Sequence, residues 1–195
     1  MCQAAKRFGK LTTGEAVMTN QVGISSKIAP REAFIGAMRR VATCVTVVTT
    51  DGPGGRYGAT VSAFSSVSAD PPTILVCLKS ESRIARAVAV NGTLCVNVLP
   101  LGGADIAKRF AGFDDAVVRD RFDGIDHYGK LGTPPTIDGA TVFSCSLQQN
   151  IEVGSHLILV GKVHEVRDGM NEPLAYLAGA YQRVVPTSEV SDAAR

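Results

Sequence analysis

The chain has 195 residues, of which 45% are apolar and 19% charged, and its formal net charge is +2. This composition predicts a folded globular domain rather than a disordered chain. A charge so near neutral gives no reason to expect a nucleic acid as the partner. No apolar run approaches the roughly 18 residues that a membrane-spanning helix needs, and the N-terminus lacks the apolar core of a secretory signal. We therefore expect a cytoplasmic protein.

The five cysteines favour a reducing compartment. Four of them stand inside apolar or strand-like runs, where a free thiol behaves as a small hydrophobic side chain: Cys44, Cys77, Cys95 and Cys145. The sequence has no Cys-x-x-Cys pair and no Cys/His spacing typical of zinc. No metal site is predicted.

Residues 1–29 mix charge, Gly, Ser and Thr without a sustained period, and are predicted to be a flexible extension. Pro30 suits the first turn of a helix. Phe34, Met38 and Val41 follow at spacings of four and three, which gives that predicted helix an apolar stripe.

The β-branched run 44–50 predicts a strand, and the Gly- and Pro-rich segment 51–58 predicts a turn. Gly52 and Gly54 of this turn resemble part of a dinucleotide-binding loop. However, Tyr57 stands where that loop requires its third glycine, and a strand rather than a helix follows. The sequence therefore excludes a Rossmann fingerprint here.

The rest of the chain is predicted to be mainly β. Strands are predicted on both sides of Asp70-Pro71-Pro72 and at 93–99, 140–149 and 156–167. Helices are predicted before Asn91-Gly92, at 104–110 and at 173–180, with an irregular excursion over 113–136. At least six strands with a few short helices favour an antiparallel barrel, which we place at 30–185 with a flexible tail at 186–195.

The segment from Gly58 to Leu78 is small and hydroxyl-rich in its first half. Its Ser and Thr residues are Thr60, Ser62, Ser65, Ser66, Ser68 and Thr73. A strand that fills a core normally carries bulky inward side chains. The run therefore indicates either space for a flat cofactor edged by hydroxyl and N–H groups, or a barrel corner with a solvated serine face.

The segment from Lys79 to Arg83 follows a predicted strand and begins a helix. Free N–H groups of a first helical turn, serine hydroxyls and a guanidinium together form a typical anion site. The alternative is an ordinary serine N-cap among solvated charges. The sequence leaves both interpretations open.

Two further polar residues are candidates for a site. Asn97 lies in an apolar strand, where an unpaired amide would cost about 1–3 kcal/mol, so it requires either a neighbouring loop or a ligand as its partner. His156 follows Val153-Gly154-Ser155 and could contact a substrate amide or ring, although a lone histidine is often an ordinary surface residue. No nucleophile elbow, phosphate-binding loop or catalytic carboxylate pair is evident. A bound cofactor would then perform the chemistry.

Five segments in order, GATVSAFSSVSADPPTILVCL, SESR, GTLCVNVL, KRFAG and VGSH, resemble the short-chain flavin reductases. These proteins are the small components of two-component flavin-dependent monooxygenases. The resemblance covers residues 31–185 and implies an FMN-binding split β-barrel, antiparallel, six-stranded and Greek-key, usually a homodimer. It also implies reduction of FMN or FAD by NADH, with NADPH less favoured. The reduced flavin then diffuses to a partner monooxygenase.

The resemblance also implies a set of site residues. The isoalloxazine edge is assigned to Thr60, which we also expect to act in catalysis, and to Val61, Ser62 and Ala63. The ribityl and phosphate end is assigned to Ser66, Ser68, Lys79, Ser80, Ser82 and Arg83. Asn97 and Phe110 are further flavin contacts, and His156 and Tyr181 are expected to position the nicotinamide.

The chain departs from the family pattern at Arg109, where the family often has His before the Phe of the FAG loop. Two other classes of protein compete with a reductase. One is an electron-transfer module that retains its FMN, and the other is a dimeric binding module with a degenerate site. The intact SSVS, SESR and VGSH segments disfavour the degenerate module.

Overall fold

The computed structural model describes residues 28–169 and 172–187. Nearly all of the predicted extension at 1–29, and most of the predicted tail at 186–195, lie outside the described residues. The described helices are α1 (Arg31–Met38), α2 (Arg83–Asn91) and α3 (Ala104–Ala111). None of them is long and apolar enough to cross a membrane.

The strands account for most of the remaining chain. In order, they are β1 (Thr43–Cys44), β2 (Thr46–Thr50), β3 (Tyr57–Val61), β4 (Phe64–Ala69), β5 (Pro72–Lys79), β6 (Thr93–Val98), β7 (His127–Tyr128), β8 (Thr136–Ile137), β9 (Thr141–Val153), β10 (His156–Arg167), β11 (Leu174–Leu177) and β12 (Ala180–Arg183). The prediction of a mainly β fold with a few helices is confirmed.

Seven strands form one sheet in the order β3-β2-β6-β9-β10-β5-β4, and each neighbouring pair is antiparallel. β3 and β4 are the two edges, although only Ser62 and Ala63 separate them along the chain. A link this short spans roughly 10 Å. The sheet must therefore curl until the end of β3 lies beside the beginning of β4. The sheet has seven strands rather than the expected six.

Buried apolar side chains cover both faces of this sheet. One cluster is built around Val47, Leu99 and Phe110, and the other around Val48 and Leu159. Adjacent residues of β2 belong to different clusters because successive side chains of a strand point to opposite faces. Every residue of β2 is consequently buried.

The helix predicted at 173–180 is wrong, because β11 and β12 form a hairpin there. Ala178 and Gly179 have φ values of 53° and 87°, which make the turn. β11 also pairs with β1, forming a three-stranded sheet. The alanine-rich composition favours a helix locally, but this turn and the pairing with a distant strand determine the structure.

The ends of α2 and α3 confirm the predicted helix boundaries. Ser82 caps α2, and Gly92 follows its last turn with φ 68°. Gly112 ends α3 in the same left-handed conformation. The excursion after Gly112 is irregular, as predicted, apart from the short pair β7–β8.

Candidate functional site

A cavity of about 840 Å³ opens between β3, the beginning of α2 and the loop 115–122. Its volume lies in the range of cofactor sites. β3 contributes Tyr57, Gly58 and Ala59, and the beginning of α2 contributes Ser82, Arg83 and Ile84. Because α2 follows β5, these two walls come from opposite sides of the sheet, and the curl of the sheet brings them together.

The β3 wall is thin because Gly58 packs directly on an aromatic pair. A β-carbon at position 58 would lie 2.6 Å from Cδ1 of Phe110 and 3.3 Å from Cζ of Phe122. The rings of Phe110 and Phe122 meet edge to face, with centroids 4.9 Å apart. Phe110 is fully buried. The prediction that Phe110 covers the flavin is therefore wrong, because this ring supports the cavity wall from inside the core.

The hydroxyl of Ser82 forms its hydrogen bonds at the N-terminus of α2, which Ser82 caps. Ser82 Oγ accepts a hydrogen bond from Ala85 N at 3.3 Å and donates one to the Lys79 carbonyl at 2.7 Å. The N-cap interpretation is thus confirmed. It is compatible with an anion site, because the positive end of the α2 dipole and Arg83 both remain at the cavity.

The cavity wall across from α2 is lined by Arg119 and Arg121 of the loop 115–122 and by Arg56, which directly precedes β3. Arg121 forms two hydrogen bonds with Asp115, at 2.6 and 2.8 Å. It also donates to the carbonyls of Gly58 at 3.2 Å and Phe110 at 2.8 Å. The hydrogen bond from Arg121 lowers the pKa of the Asp115 carboxyl below its ordinary value. Arg121 therefore fastens the loop to β3 and to the end of α3.

A second attachment of the same loop is the ion pair between Arg56 and Asp120. The guanidinium of Arg56 also lies 4.9 Å above the ring centroid of Phe122. Neither Arg56 nor any residue of 115–122 is among the site residues predicted from the sequence. The available signal was the alternation of acids with arginines between Asp114 and Asp123, which is unusual for a segment that otherwise lacks periodicity.

Three predicted residues meet where β5 ends and β10 begins. His156 pairs with Lys79 across the two strands. Ser80 donates to the Ser155 carbonyl through its backbone N–H at 3.1 Å and through its hydroxyl at 3.2 Å. Ser155 Oγ lies 3.0 Å from Nδ1 of the exposed His156. Lys79, Ser80 and His156 thus share one end of the sheet, just before the α2 wall of the cavity.

The predicted isoalloxazine residues form the link between β3 and β4. Thr60 Oγ1 donates to the Ala107 carbonyl at 2.7 Å, which ties β3 to α3. The Val61 carbonyl accepts from Thr46 Oγ1, and the Ala63 carbonyl accepts from the Cys77 N–H, both at 3.0 Å. Ser62 is exposed. These bonds fix the link between β3 and β4 in position.

Ser66 and Ser68 lie exposed on the edge strand β4. Ser68 Oγ donates to the Asp70 carbonyl at 2.9 Å and accepts from the Asp70 N–H at 3.1 Å. Neither serine lines the cavity. Their assignment to the ribityl and phosphate end stays a prediction.

Asn97 is fully buried and has its partners within the protein. Its Nδ2 donates to the Val47 carbonyl at 3.0 Å and to Thr49 Oγ1 at 3.3 Å, and its Oδ1 accepts from the Ile137 N–H at 2.8 Å. Of the two alternatives considered, a partner within the protein is therefore the correct one, although the groups bonded to Asn97 lie on β2 and β8 rather than in a loop. The prediction of a flavin contact at Asn97 is wrong, because a ligand cannot reach this amide.

Tyr181 lies on β12 of the small sheet, whereas His156 belongs to the seven-stranded sheet. Its ring packs edge to face with Tyr176, with centroids 5.5 Å apart, and burial raises the pKa of its hydroxyl. No contact within the described ranges joins Tyr181 to His156, so their common role in nicotinamide binding stays a prediction.

Within residues 28–169 and 172–187, no group of three or more His, Cys, Asp or Glu side chains could hold a metal ion. Burial raises the pKa of the Cys95 thiol to about 12, which keeps it protonated near neutral pH. What the cavity offers is a helix beginning, several guanidinium groups and a thin wall of small residues. These groups are chemically suited to hold an anionic, flat ligand.

The family "Flavin reductase like domain" matches residues 38–184. The FMN reductase (NADH) RutF of Ancylobacter novellus is 38% identical over 173 residues, which are 88% of this chain and 94% of that protein. The FMN reductase (NADH) RutF of Pseudomonas syringae is 36% identical over 154 residues, or 78% of this chain and 85% of that protein.

Solved structures show the same likeness. The NADH:FAD oxidoreductase SgcE6 of Streptomyces globisporus C-1027 superposes with a TM-score of 0.73 at 28% identity, covering 84% of this chain and 99% of that one. BorF, the flavin reductase component of a bacterial two-component tryptophan halogenase, gives a TM-score of 0.72 at 28% identity over 80% of this chain and 99% of its own.

Proposed function

Because the chain belongs to the flavin reductase-like domain family, we propose that it is an oxidoreductase that uses NADH to reduce FMN. The names of its RutF relatives support both FMN and NADH. The proposal extends to FAD as an alternative flavin, in view of the NADH:FAD oxidoreductase SgcE6. NADPH is the less favoured hydride donor.

The cavity at β3 and α2 is the observation that carries this proposal. A flavin nucleotide is flat at one end and anionic at the other, and the cavity has a wall of small residues opposite guanidinium groups. Arg83, together with the first turn of α2, is placed to hold a phosphate. Gly58 and Ala59 allow a ring to approach the β3 backbone closely, so the residues present fit the flavin.

The bound flavin supplies the hydride acceptor, and the reaction requires no nucleophile from the protein. The residues of the chain would position the flavin and the nicotinamide relative to each other. Thr60 holds β3 against α3 through its bond to Ala107, and this bond keeps the link 61–63 in place. Backbone N–H groups of that link would favour negative charge at the ring edge. His156 would orient the nicotinamide amide from the end of β10.

We also propose that the reduced flavin leaves for a partner monooxygenase. The likeness to BorF, the reductase component of a two-component halogenase, supports this transfer. An open cavity with exposed arginines suits a ligand that must leave after each turnover. The described cysteines are unpaired, which supports the reducing cytoplasm as the compartment.

A homodimer is a further part of the proposal. Ile151, Ile158 and Cys77 are cross-strand partners in neighbouring strands, so they form one row on the outer face of the sheet. Ile151 is 44% exposed. A second copy would cover this apolar row. Sedimentation of the purified protein tests this part, because a monomer at micromolar concentration would contradict it.

The central experiment is anaerobic mixing of the purified protein with NADH and an excess of FMN or FAD. Loss of the oxidised flavin absorption over many turnovers is the expected result. Reduction of only one tightly retained flavin per chain would instead identify an electron-transfer module. Absence of both binding and reduction would overturn the proposal.

A further inference from the structure

Two arginines that line the cavity have no ion-pair partner among the described residues. Arg83 begins α2, and Arg119 lies on the opposite wall, in the loop 115–122. Within the part of the chain that the structure describes, neither guanidinium forms a hydrogen bond or an ion pair. The charge of Arg83 adds only a small effect to the pKa of Asp115, which Arg121 controls. Both guanidinium groups are therefore available to a ligand.

The neighbours of Arg119 hold its backbone in position. The next residue, Asp120, pairs with Arg56 and accepts the Phe122 N–H at 3.0 Å. Arg121 then bonds the Gly58 carbonyl on β3. Arg119 thus projects from a segment that is anchored on its C-terminal side, and a ligand would order the side chain without having to order the loop. A preorganised segment lowers the entropic cost of binding.

The two arginines differ in what supports them. Arg83 acts together with the positive end of the α2 dipole, and this combination suffices for one phosphate. Arg119 has no such helix beside it, and it approaches the cavity from the other wall. Two unpaired guanidinium groups in one cavity repel each other unless each of them binds an anionic group. A pyrophosphate presents two phosphate groups, one for each guanidinium, whereas a mononucleotide presents a single phosphate, which Arg83 and the first turn of α2 already hold.

We infer that Arg119 binds the second phosphate of a dinucleotide that occupies this cavity. This inference rests on the proposed function. The shared ligand chemistry is an adenylate joined through a pyrophosphate, which occurs both in FAD and in NADH. Guanidinium groups bind phosphate oxygens through paired hydrogen bonds, which makes arginine suited to this role.

The test compares Arg119→Gln with Arg83→Gln and with a matched control, Arg86→Gln. Arg86 is an exposed arginine of α2 that does not line the cavity. Dissociation constants for FMN, FAD and ADP-ribose are measured by calorimetry without turnover, and thermal melting verifies that each variant is folded. We expect Arg83→Gln to raise the dissociation constants of both FMN and FAD by about tenfold or more. Arg86→Gln should leave all three dissociation constants unchanged.

The two sources of the pyrophosphate give different results for Arg119→Gln. If the flavin supplies it, FAD binding weakens about tenfold while FMN binding is unchanged. If the pyridine nucleotide supplies it, both flavins bind as before. In that case ADP-ribose binding weakens, and the KM for NADH rises while that for reduced nicotinamide mononucleotide stays constant.

Two results would overturn the inference while leaving the proposed reductase intact. The first is equal weakening of FMN and FAD by Arg119→Gln, which would make Arg119 a second contact for a single phosphate. The second is unchanged binding of FAD and ADP-ribose, which would make it a solvated surface arginine. Failure of the unaltered protein to bind any flavin would overturn the proposed function as well.

Discussion

The ring of Phe110 packs so closely against Gly58 that a β-carbon at position 58 would lie 2.6 Å from Cδ1 of that ring. Phe110 is fully buried and packs edge to face on Phe122, so it has little freedom to move aside. The absence of a side chain at Gly58 therefore joins the cavity wall to the hydrophobic core. A change at this one position affects both.

Gly58→Ala is expected to lower the free energy of unfolding by about 1–3 kcal/mol, because the added methyl group forces the aromatic pair apart. Urea denaturation measures this loss. Gly36→Ala is the matched control, since a β-carbon at Gly36 of α1 has nothing within 4 Å. Alanine in a helix should raise stability there by about 0.5–1 kcal/mol. Equal stability of both variants would contradict the close packing at Gly58.

Asn97→Ala should destabilise the protein without affecting flavin binding. The substitution removes the partner of the Ile137 N–H in a fully buried site, which costs about 1–3 kcal/mol. Denaturation measures the stability, and the FMN dissociation constant is measured at a temperature where the variant is folded. Asn150→Ala, which removes an exposed amide of β9, is the control. Weaker FMN binding by folded Asn97→Ala would return this residue to the site.

His156→Ala is expected to raise the KM for NADH and to leave the FMN dissociation constant unchanged. The imidazole is exposed at the beginning of β10, where it can orient a nicotinamide but lies outside the main cavity. Steady-state kinetics and equilibrium binding separate the two effects. His164→Ala serves as the control, because His164 is exposed farther along β10 and bonds Ser146. A variant that loses FMN instead would place His156 in the flavin pocket.

Alkaline pH should destabilise the protein through its buried thiols. Burial raises the pKa of Cys95 and of Cys145 from 9.0 to about 12. Each thiol ionises less readily in the folded protein than in the unfolded chain, so its contribution to the free energy of unfolding is fully present below pH 9.0. This contribution is lost as the pH rises from 9.0 to about 12. The free energy of unfolding should fall by up to about 1.4 kcal/mol per pH unit for each thiol.

The control for this pH effect is Cys44→Ala, because Cys44 is exposed. Denaturation at a series of pH values should give the same slope for Cys44→Ala as for the unaltered protein. Cys95→Ala should give a shallower slope, whatever its stability near neutral pH. An unchanged slope in Cys95→Ala would show that the buried thiol does not control alkaline unfolding.

Features that depend on neighbouring residues could be predicted from the sequence. Ser82 and Ala85 are three residues apart, and the cap that they form is a local preference. Gly92 likewise ends α2 through its own left-handed conformation. The hydrophobic runs of β5 and β6 gave their strands directly. These elements carry the family motifs, so they also led to the correct family.

Features that depend on distant residues could not be predicted. Asn97 is hydrogen-bonded to Val47 on β2 and Ile137 on β8, which lie 50 and 40 residues away along the chain, and an apolar pattern does not specify such partners. The loop 115–122 is held in the cavity wall by ion pairs such as that of Asp120 with Arg56, which lies 64 residues away along the chain. The hairpin at 174–183 was missed for the same reason, since β1 completes its sheet.

The two walls of the cavity come from opposite sides of the curled sheet, so the cavity exists only in the native state. Mass action then makes the nucleotide a stabilising agent for the whole chain. At a free ligand concentration of 100 times the dissociation constant, the gain is about 2.7 kcal/mol. This gain is comparable to the loss expected from Gly58→Ala. Cells with ample flavin should therefore tolerate core mutations that would unfold the protein during riboflavin starvation.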